Sequence, residues 1–148
     1  MNVERDFRDL FALFNAHHVE YMIVGGYALA FHGAPRYTGD MDVYVQPDAT
    51  NAQRVITALA EFGFGSLELS TADFTKADMV IQLGIRPVRI DLITSISGVS
   101  WKEAYAGRVQ GTYGDITVYY IGRKQFIANK RAIGRKKDIA DLEALGED

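Results

Sequence analysis

Val24-Gly25-Gly26 and Thr38-Gly39-Asp40-Met41-Asp42-Val43 are the two stretches on which the reading of this chain turns. The first is a glycine pair closing an apolar segment. The second sets two carboxylates one residue apart in an apolar run. Side chains alternate across a strand, so Asp40 and Asp42 project from one face while Met41, Val43 and Val45 point into a core. Two carboxylates held this close raise each other's pKa unless a cation is shared between them. The combination points to cation and phosphate chemistry at one end of a sheet.

Outward from there the pattern is regular. Glu20 to Val24 reads as a short strand, and Gly25-Gly26 opens a helix through Phe31 that Gly33-Ala34-Pro35 terminates. Met41 to Val45 is the next strand, closed by Gln46-Pro47-Asp48. A helix over Ala49 to Phe62 follows, with Val55, Ile56, Leu59 and Phe62 on its buried side. Upstream, Val3, Phe7, Leu10, Phe11 and Phe14 keep helical spacing, with Asn2 as N-cap. Ser66 to Ala77 is the least regular stretch. Met79 to Leu83 and Val88 to Ile93 are expected to pair as a hairpin across Gly84-Ile85-Arg86-Pro87, and Arg108 to Thr112 with Ile116 to Ile121 across Gly114-Asp115. A short helix around Trp101 to Ala106 lies between the hairpins, and helices over Lys124 to Ile133 and Lys136 to Leu145, parted at Gly134, close the chain. Strands and helices mix without strict alternation, so the expected class is α/β or α+β, a mixed β-sheet flanked by helices.

Composition bounds the rest. A chain of 148 residues, 48% hydrophobic, holds one core, so residues 1–148 are expected to form a single domain with 123–148 as a C-terminal helical extension. Tyr21 to Phe31, the longest nearly apolar run, is shorter than the roughly 20 residues of a membrane-spanning helix, and no secretory leader is visible. No membrane association and a cytoplasmic location are the expectations. The absence of cysteine excludes disulfides, thiolate metal sites and a cysteine nucleophile. The formal net charge of −3 argues against a protein that coats nucleic acid, yet Arg123 to Lys137 carries seven Lys or Arg residues and no acid. Either that stripe meets a phosphate-bearing ligand, or it is a solvated helix face whose stems lie over the core.

A third acid stands in Arg89-Ile90-Asp91-Leu92-Ile93. A carboxylate in so apolar a run needs a cation or a hydrogen-bonded partner, and Arg89, on the same strand face, offers the plain alternative of a salt bridge.

In this order, Gly25-Gly26, Asp40-Met41-Asp42 and Asp91 resemble the motif set of the nucleotidyltransferase superfamily with the polymerase-beta-type fold. There a glycine pair or Gly-Ser opens a helix, Asp-x-Asp follows on the next strand, and a lone Asp lies on a later one. The likeness covers about Tyr21 to Thr94. The run from Asn129 to Leu142, with Lys130 ahead of Arg-Lys-Lys-Asp138-Ile-Ala-Asp141-Leu, is similar to the closing motif of the AbiEii-like branch, which includes toxins of toxin-antitoxin and abortive-infection systems.

The resemblance implies a nucleotidyltransferase-like fold and an enzyme that moves a nucleoside monophosphate from a nucleoside triphosphate to a hydroxyl. Charge builds on both the entering and the leaving oxygen in such a reaction, and two Mg²⁺ ions about 3.5 to 4 Å apart, with Mn²⁺ as a substitute, stabilise it. By the same resemblance Asp40, Asp42 and Asp91 are the catalytic and metal residues, and Asp91 is placed to take the acceptor's proton. The amides of Gly25 and Gly26 would face phosphate oxygens, and Lys130 would neutralise an outer phosphate. Arg36 and Thr38, on the loop between the motifs, either reach the triphosphate or stabilise the loop. Asp138 and Asp141, at i and i+3, either orient Lys130 or cap against Arg135. Gly26 departs from the pattern, since serine at this position would add a hydroxyl donor. The acceptor, whether tRNA or another RNA, a protein or a small molecule, is left open, as is a partner protein. A non-catalytic binding or antitoxin-like module on the same fold is the rival expectation. The three histidines form no ligand set, Asp73, Asp78 and Asp115 read as solvated, and Trp101, Tyr119 and Tyr120 as core aromatics.

Overall fold

Among the described residues six strands, β1 (Tyr21–Val24), β2 (Asp40–Val45), β3 (Val80–Leu83), β4 (Arg89–Ile93), β5 (Val109–Tyr113) and β6 (Ile116–Tyr120), form one mixed sheet in the order β3-β4-β2-β1-β6-β5. The computed structural model describes residues 3–35, 38–85 and 88–147. Within these residues seven α-helices flank the sheet: α1 (Arg5–Ala16), α2 (Gly25–Phe31), α3 (Ala49–Leu59), α4 (Ala72–Thr75), α5 (Trp101–Gly107), α6 (Arg123–Ile133) and α7 (Lys136–Ala144). Both expected hairpins form, β3 with β4 and β5 with β6.

What matters for the site is the centre of the sheet. β1 runs antiparallel to β2 and pairs Val24 with Asp42, which brings the end of β1 and the glycine turn beside the acids. β2 runs parallel to β4, pairing Asp40 with Arg89 and Asp42 with Asp91. The β2 to β4 connection runs through α3 and α4 and returns along β3. Alternation holds: Met41, Val43 and Val45 are fully buried, as are Ile90 and Leu92.

The core is built from aromatic side chains of α1 against the sheet. Phe7, Leu10, Phe11 and Phe14 are each at most 1% exposed, and Phe11 stacks on Tyr21 with ring centroids 5.4 Å apart. Burial of each such side chain is worth about 1.5 to 3 kcal/mol, so α1 is held by packing along one face. Its start differs from expectation. Glu4 is the cap, Asn2 lies outside the described residues, and Val3 precedes the helix and is half-exposed.

Two other boundaries moved. α3 stops at Leu59, and Ala60–Phe64 forms a wider turn in which Gly63 adopts φ 121°, a value side chains disfavour. Phe62 is therefore off the helix, packed only partly against the core. Within the irregular stretch, α4 forms and buries Phe74 completely. A single turn has too few residues to show a period. At the head of α3, Asp48 accepts a hydrogen bond from the Asn51 amide at 2.7 Å. The buried Asn51 side chain ties the Glu20 and Gln46 backbones together at the far end of β1 and β2. Among the described residues no helix is long and apolar enough to cross a membrane.

Candidate active site

The parallel register of β2 and β4 places Asp40, Asp42, Arg89 and Asp91 at the corners of a square on one sheet face. Three corners are carboxylates and one is a guanidinium. Asp91 is 8% exposed, and Asp42 is largely buried. Burial, followed by the charges of Asp91 and Asp40, pushes the Asp42 carboxyl up to about 6, with Lys137 and Lys130 pulling the other way. Burial and the like charges of its neighbours thus both disfavour the ionised form of Asp42.

Arg89 is the alternative that the sequence left open for Asp91, and it reaches further than expected. Its Nη2 donates to Asp40 Oδ2 at 2.9 Å and to Asp91 Oδ2 at 3.5 Å, and its Nε lies 3.3 Å from Asp91 Oδ1. The guanidinium thus spans two acids from different strands. With Arg89 between them, no group of three or more acidic or histidine side chains among the described residues is arranged to hold a metal ion as it stands.

The glycine turn backs directly onto this square. Gly25 has φ 64°, and a side chain there would fall on the Asp42 carboxylate. Both the conformation and the close approach require glycine. At Gly26 an added Cβ would lie 3.0 Å from Thr38 Cβ and 3.1 Å from its hydroxyl. Thr38 thus crowds the position that a serine side chain would need. Its hydroxyl donates to the Asp40 carbonyl at 3.0 Å and buttresses the start of β2. Arg36 lies outside the described residues.

The basic stripe divides. Lys130, expected at a phosphate, is 6% exposed and pairs with Asp138 at 3.1 Å and Asp141 at 3.0 Å. Arg135 joins through its Nε to Asp138 Oδ2 at 2.7 Å. The hydrogen bond from Arg135, with those from Lys130, brings the Asp138 carboxyl down to about 2 against the opposing effect of burial. Asp138 and Asp141 therefore both orient the lysine and, in the case of Asp138, cap Arg135. Lys137, on the exposed side of the same helical turn, acts on Asp42 more strongly than Lys130 does. Nothing in the local pattern separates Lys137 from its basic neighbours; the fold of α7 against α6 does.

The remaining polar residues serve structure. His17 meets Glu61, and His32 donates to the Ile121 carbonyl at 2.7 Å. Asp73 holds the Ser70 amide and Asp78 accepts from Ser95, while Asp115, exposed as expected, forms a two-bond pair with Arg8. Tyr120 stacks on Phe31 with centroids 4.0 Å apart, and Trp101 packs edge-on to Tyr44.

A mixed sheet with its acids on adjoining central strands beside a glycine-opened helix defines the nucleotidyltransferase fold, and the solved structures that resemble this chain carry it. A candidate nucleotidyltransferase of Thermotoga maritima matches with a TM-score of 0.63 and 12% identity over 94% of this chain and 89% of its own. The lincosamide antibiotic adenylyltransferase LnuA, solved with lincomycin bound, matches with a TM-score of 0.62 and 16% identity over 99% of this chain and 98% of its own. An antigenic nucleotidyltransferase-like protein of Paracoccidioides brasiliensis matches with a TM-score of 0.58 and 20% identity over 94% of this chain and 73% of its own. No family model matches the chain, and no curated protein matches it.

Proposed function

We propose that this chain is a metal-dependent nucleotidyltransferase that transfers a nucleoside monophosphate from a triphosphate to a hydroxyl acceptor. The carrying observation is the square at the centre of the sheet, where Asp42 and Asp91 are register partners and Asp40 stands beside them, against a turn that only glycine can make. Carboxylate oxygens are hard donors suited to Mg²⁺ or Mn²⁺. Asp40, Asp42 and Asp91 project from one sheet face at adjoining register positions, a donor set whose chemistry suits the two ions the fold family implies once Arg89 yields its place. Asp40 and Asp42 would hold both, and Asp91 would complete one of them. Bound there, the ions supply charge stabilisation at the attacking and leaving oxygens.

The chain's own groups do the rest. The acceptor oxygen forms a bond to the α-phosphorus as the bond to the β-phosphate oxygen breaks and pyrophosphate leaves. The acceptor proton passes to Asp91 or to water. The Gly25 and Gly26 amides face the phosphates, with no side chain of their own to hold the ligand off. Thr38 holds Asp40 in place. Lys137 meets the outer phosphates from the solvent side, while Lys130 contributes its field from within α6 and α7. An AbiEii-like affiliation, with a toxin-antitoxin setting, rests on the run from Asn129 to Leu142. The likeness to LnuA over nearly the whole of both chains favours a small-molecule hydroxyl over RNA or protein as acceptor.

Purified protein incubated with α-labelled triphosphates, Mg²⁺ or Mn²⁺, and acceptors including aminoglycosides, lincosamides, total tRNA and protein lysate is expected to transfer label. Transfer that survives Asp40→Asn with Asp42→Asn, or that is absent with every acceptor, would sink the proposal. The rival reading, a non-catalytic binding module, draws on Arg89, which already bridges Asp40 and Asp91 without a metal. That module would show no rise in Tm with Mg²⁺ and millimolar triphosphate, since only a site present in the native state is stabilised by its ligand.

A further inference from the structure

We infer that Arg89 is an exchangeable internal counter-cation: it holds Asp40 and Asp91 in place in the metal-free protein and gives up its position between them when a divalent ion binds. The inference rests on the metal-dependent reading above and concerns a residue that reading leaves unused.

Position comes first. Arg89 is the register partner of Asp40 and stands two residues before Asp91 on the same strand face, so the backbone itself fixes it beside both acids. Its side chain is 22% exposed, against 20% for Asp40 and 11% for Asp91, so the three are largely removed from water. Without a cation, three carboxylates in such a place repel one another, and a fixed guanidinium relieves that repulsion.

The manner of contact comes second. A guanidinium built for one carboxylate grips it with two short parallel bonds. Arg89 makes one short bond, 2.9 Å to Asp40, and longer approaches of 3.3 and 3.5 Å to Asp91. Its buried Nε forms no hydrogen bond of good geometry. A fork stretched between two acids, with a donor left over, is a compromise that a better-fitting cation can displace. A divalent ion carries twice the charge and takes carboxylate oxygens at shorter range. The exchange moves no covalent bond.

A purely structural salt bridge predicts the opposite effect of mutation. If Arg89 merely ordered the acids, its removal would scatter them and weaken metal binding. As a competing cation, its removal takes away one competitor for the acids' oxygens, and the metal gains. Mn²⁺ binding to purified protein, followed by the loss of the free-ion electron paramagnetic resonance signal, separates the two. Arg89→Gln is expected to bind Mn²⁺ about tenfold more tightly than the unaltered chain, a difference typical of one well-placed charge. Arg89→Lys, which keeps the charge and loses the fork, should fall between them. In EDTA the Tm of Arg89→Gln should be lower, and its rise on adding Mn²⁺ larger. Equal or weaker Mn²⁺ binding by Arg89→Gln, beside an unaltered chain that binds, overturns the exchange and leaves the metal site standing. Failure of both to take up Mn²⁺ overturns the exchange together with the metal-dependent reading. Should Arg89→Gln not fold, Arg89→Lys decides by the same sign.

Discussion

Two clusters in this molecule are made from the same ingredients and come out electrostatically opposite. On the sheet, Arg89 bridges Asp40 and Asp91, and burial together with the charges of those two acids pushes the neighbouring Asp42 up to about 6. Between α6 and α7, Asp138 and Asp141 share Lys130 and Arg135, and Asp138 is drawn down to about 2. In one cluster burial and like charge oppose the ionisation of an acid, and in the other two cations favour it. A paired buried ion network is a staple for two helices. An acid held against its ionisation costs stability, and that cost is understandable where a ligand brings positive charge.

The contrast can be broken most forcefully by activity. Asp42→Asn should lower label transfer by about a thousandfold or more, the scale for losing electrostatic stabilisation of the reacting oxygens, whereas Asp141→Asn should leave the chemistry of the folded protein within about tenfold. Comparable losses in both, measured on protein of verified fold, would erase the distinction.

Stability should answer in the reverse order. Lys130→Ala removes the buried cation that Asp138 and Asp141 share and should cost about 3 to 5 kcal/mol by denaturant unfolding, the usual penalty for a broken buried pair. Asp42→Asn should do the opposite at pH 8 in EDTA. The folded-state pKa of Asp42 is raised, so its neutral form favours folding: that contribution is full below the unfolded value near 4 and is lost as pH rises through about 6. Replacing an ionised Asp42 by Asn therefore recovers up to about 3 kcal/mol at pH 8 and little at pH 4. Destabilisation by Asp42→Asn in metal-free protein would contradict the account of that cluster.

Asp138 supplies the smallest effect, with the other sign. Its folded-state pKa is depressed, so its stabilisation is present above about 4 and disappears as pH falls through about 2. About 2 kcal/mol of acid lability should follow. Unfolding curves between pH 5 and pH 2 should show it in the unaltered chain and lack it in Asp138→Asn.

Much of this was legible in advance, for identifiable reasons. The acid-bearing strands announce themselves because Met41, Val43, Ile90 and Leu92 alternate with their acids, and alternation is what a half-covered strand looks like. Gly25 was legible as a turn, but its second reason, the Asp42 carboxylate where a Cβ would be, needs three dimensions. Arg89 was visible as a partner for Asp91 on its own strand; its bond to Asp40 depends on the parallel register of β2 and β4, which no local pattern encodes. The basic run from Arg123 to Lys137 read as one feature, while the turn at Gly134 folds it so that Lys130 is buried and Lys137 faces out. Asn51 and Phe74 were missed because one buried amide and one turn of helix leave no periodic trace.

The central claim is that the square of Asp40, Asp42, Asp91 and Arg89 receives a divalent ion together with a triphosphate. Thermal unfolding with Mg²⁺ and a non-hydrolysable triphosphate at a hundred times the dissociation constant should raise the Tm of the unaltered chain by about 5 to 10 °C, from roughly 2.7 kcal/mol of ligand stabilisation. The same addition should leave Asp42→Asn unmoved, although that variant starts from the higher Tm at pH 8. No rise in the unaltered chain, or an equal rise in both proteins, would contradict it.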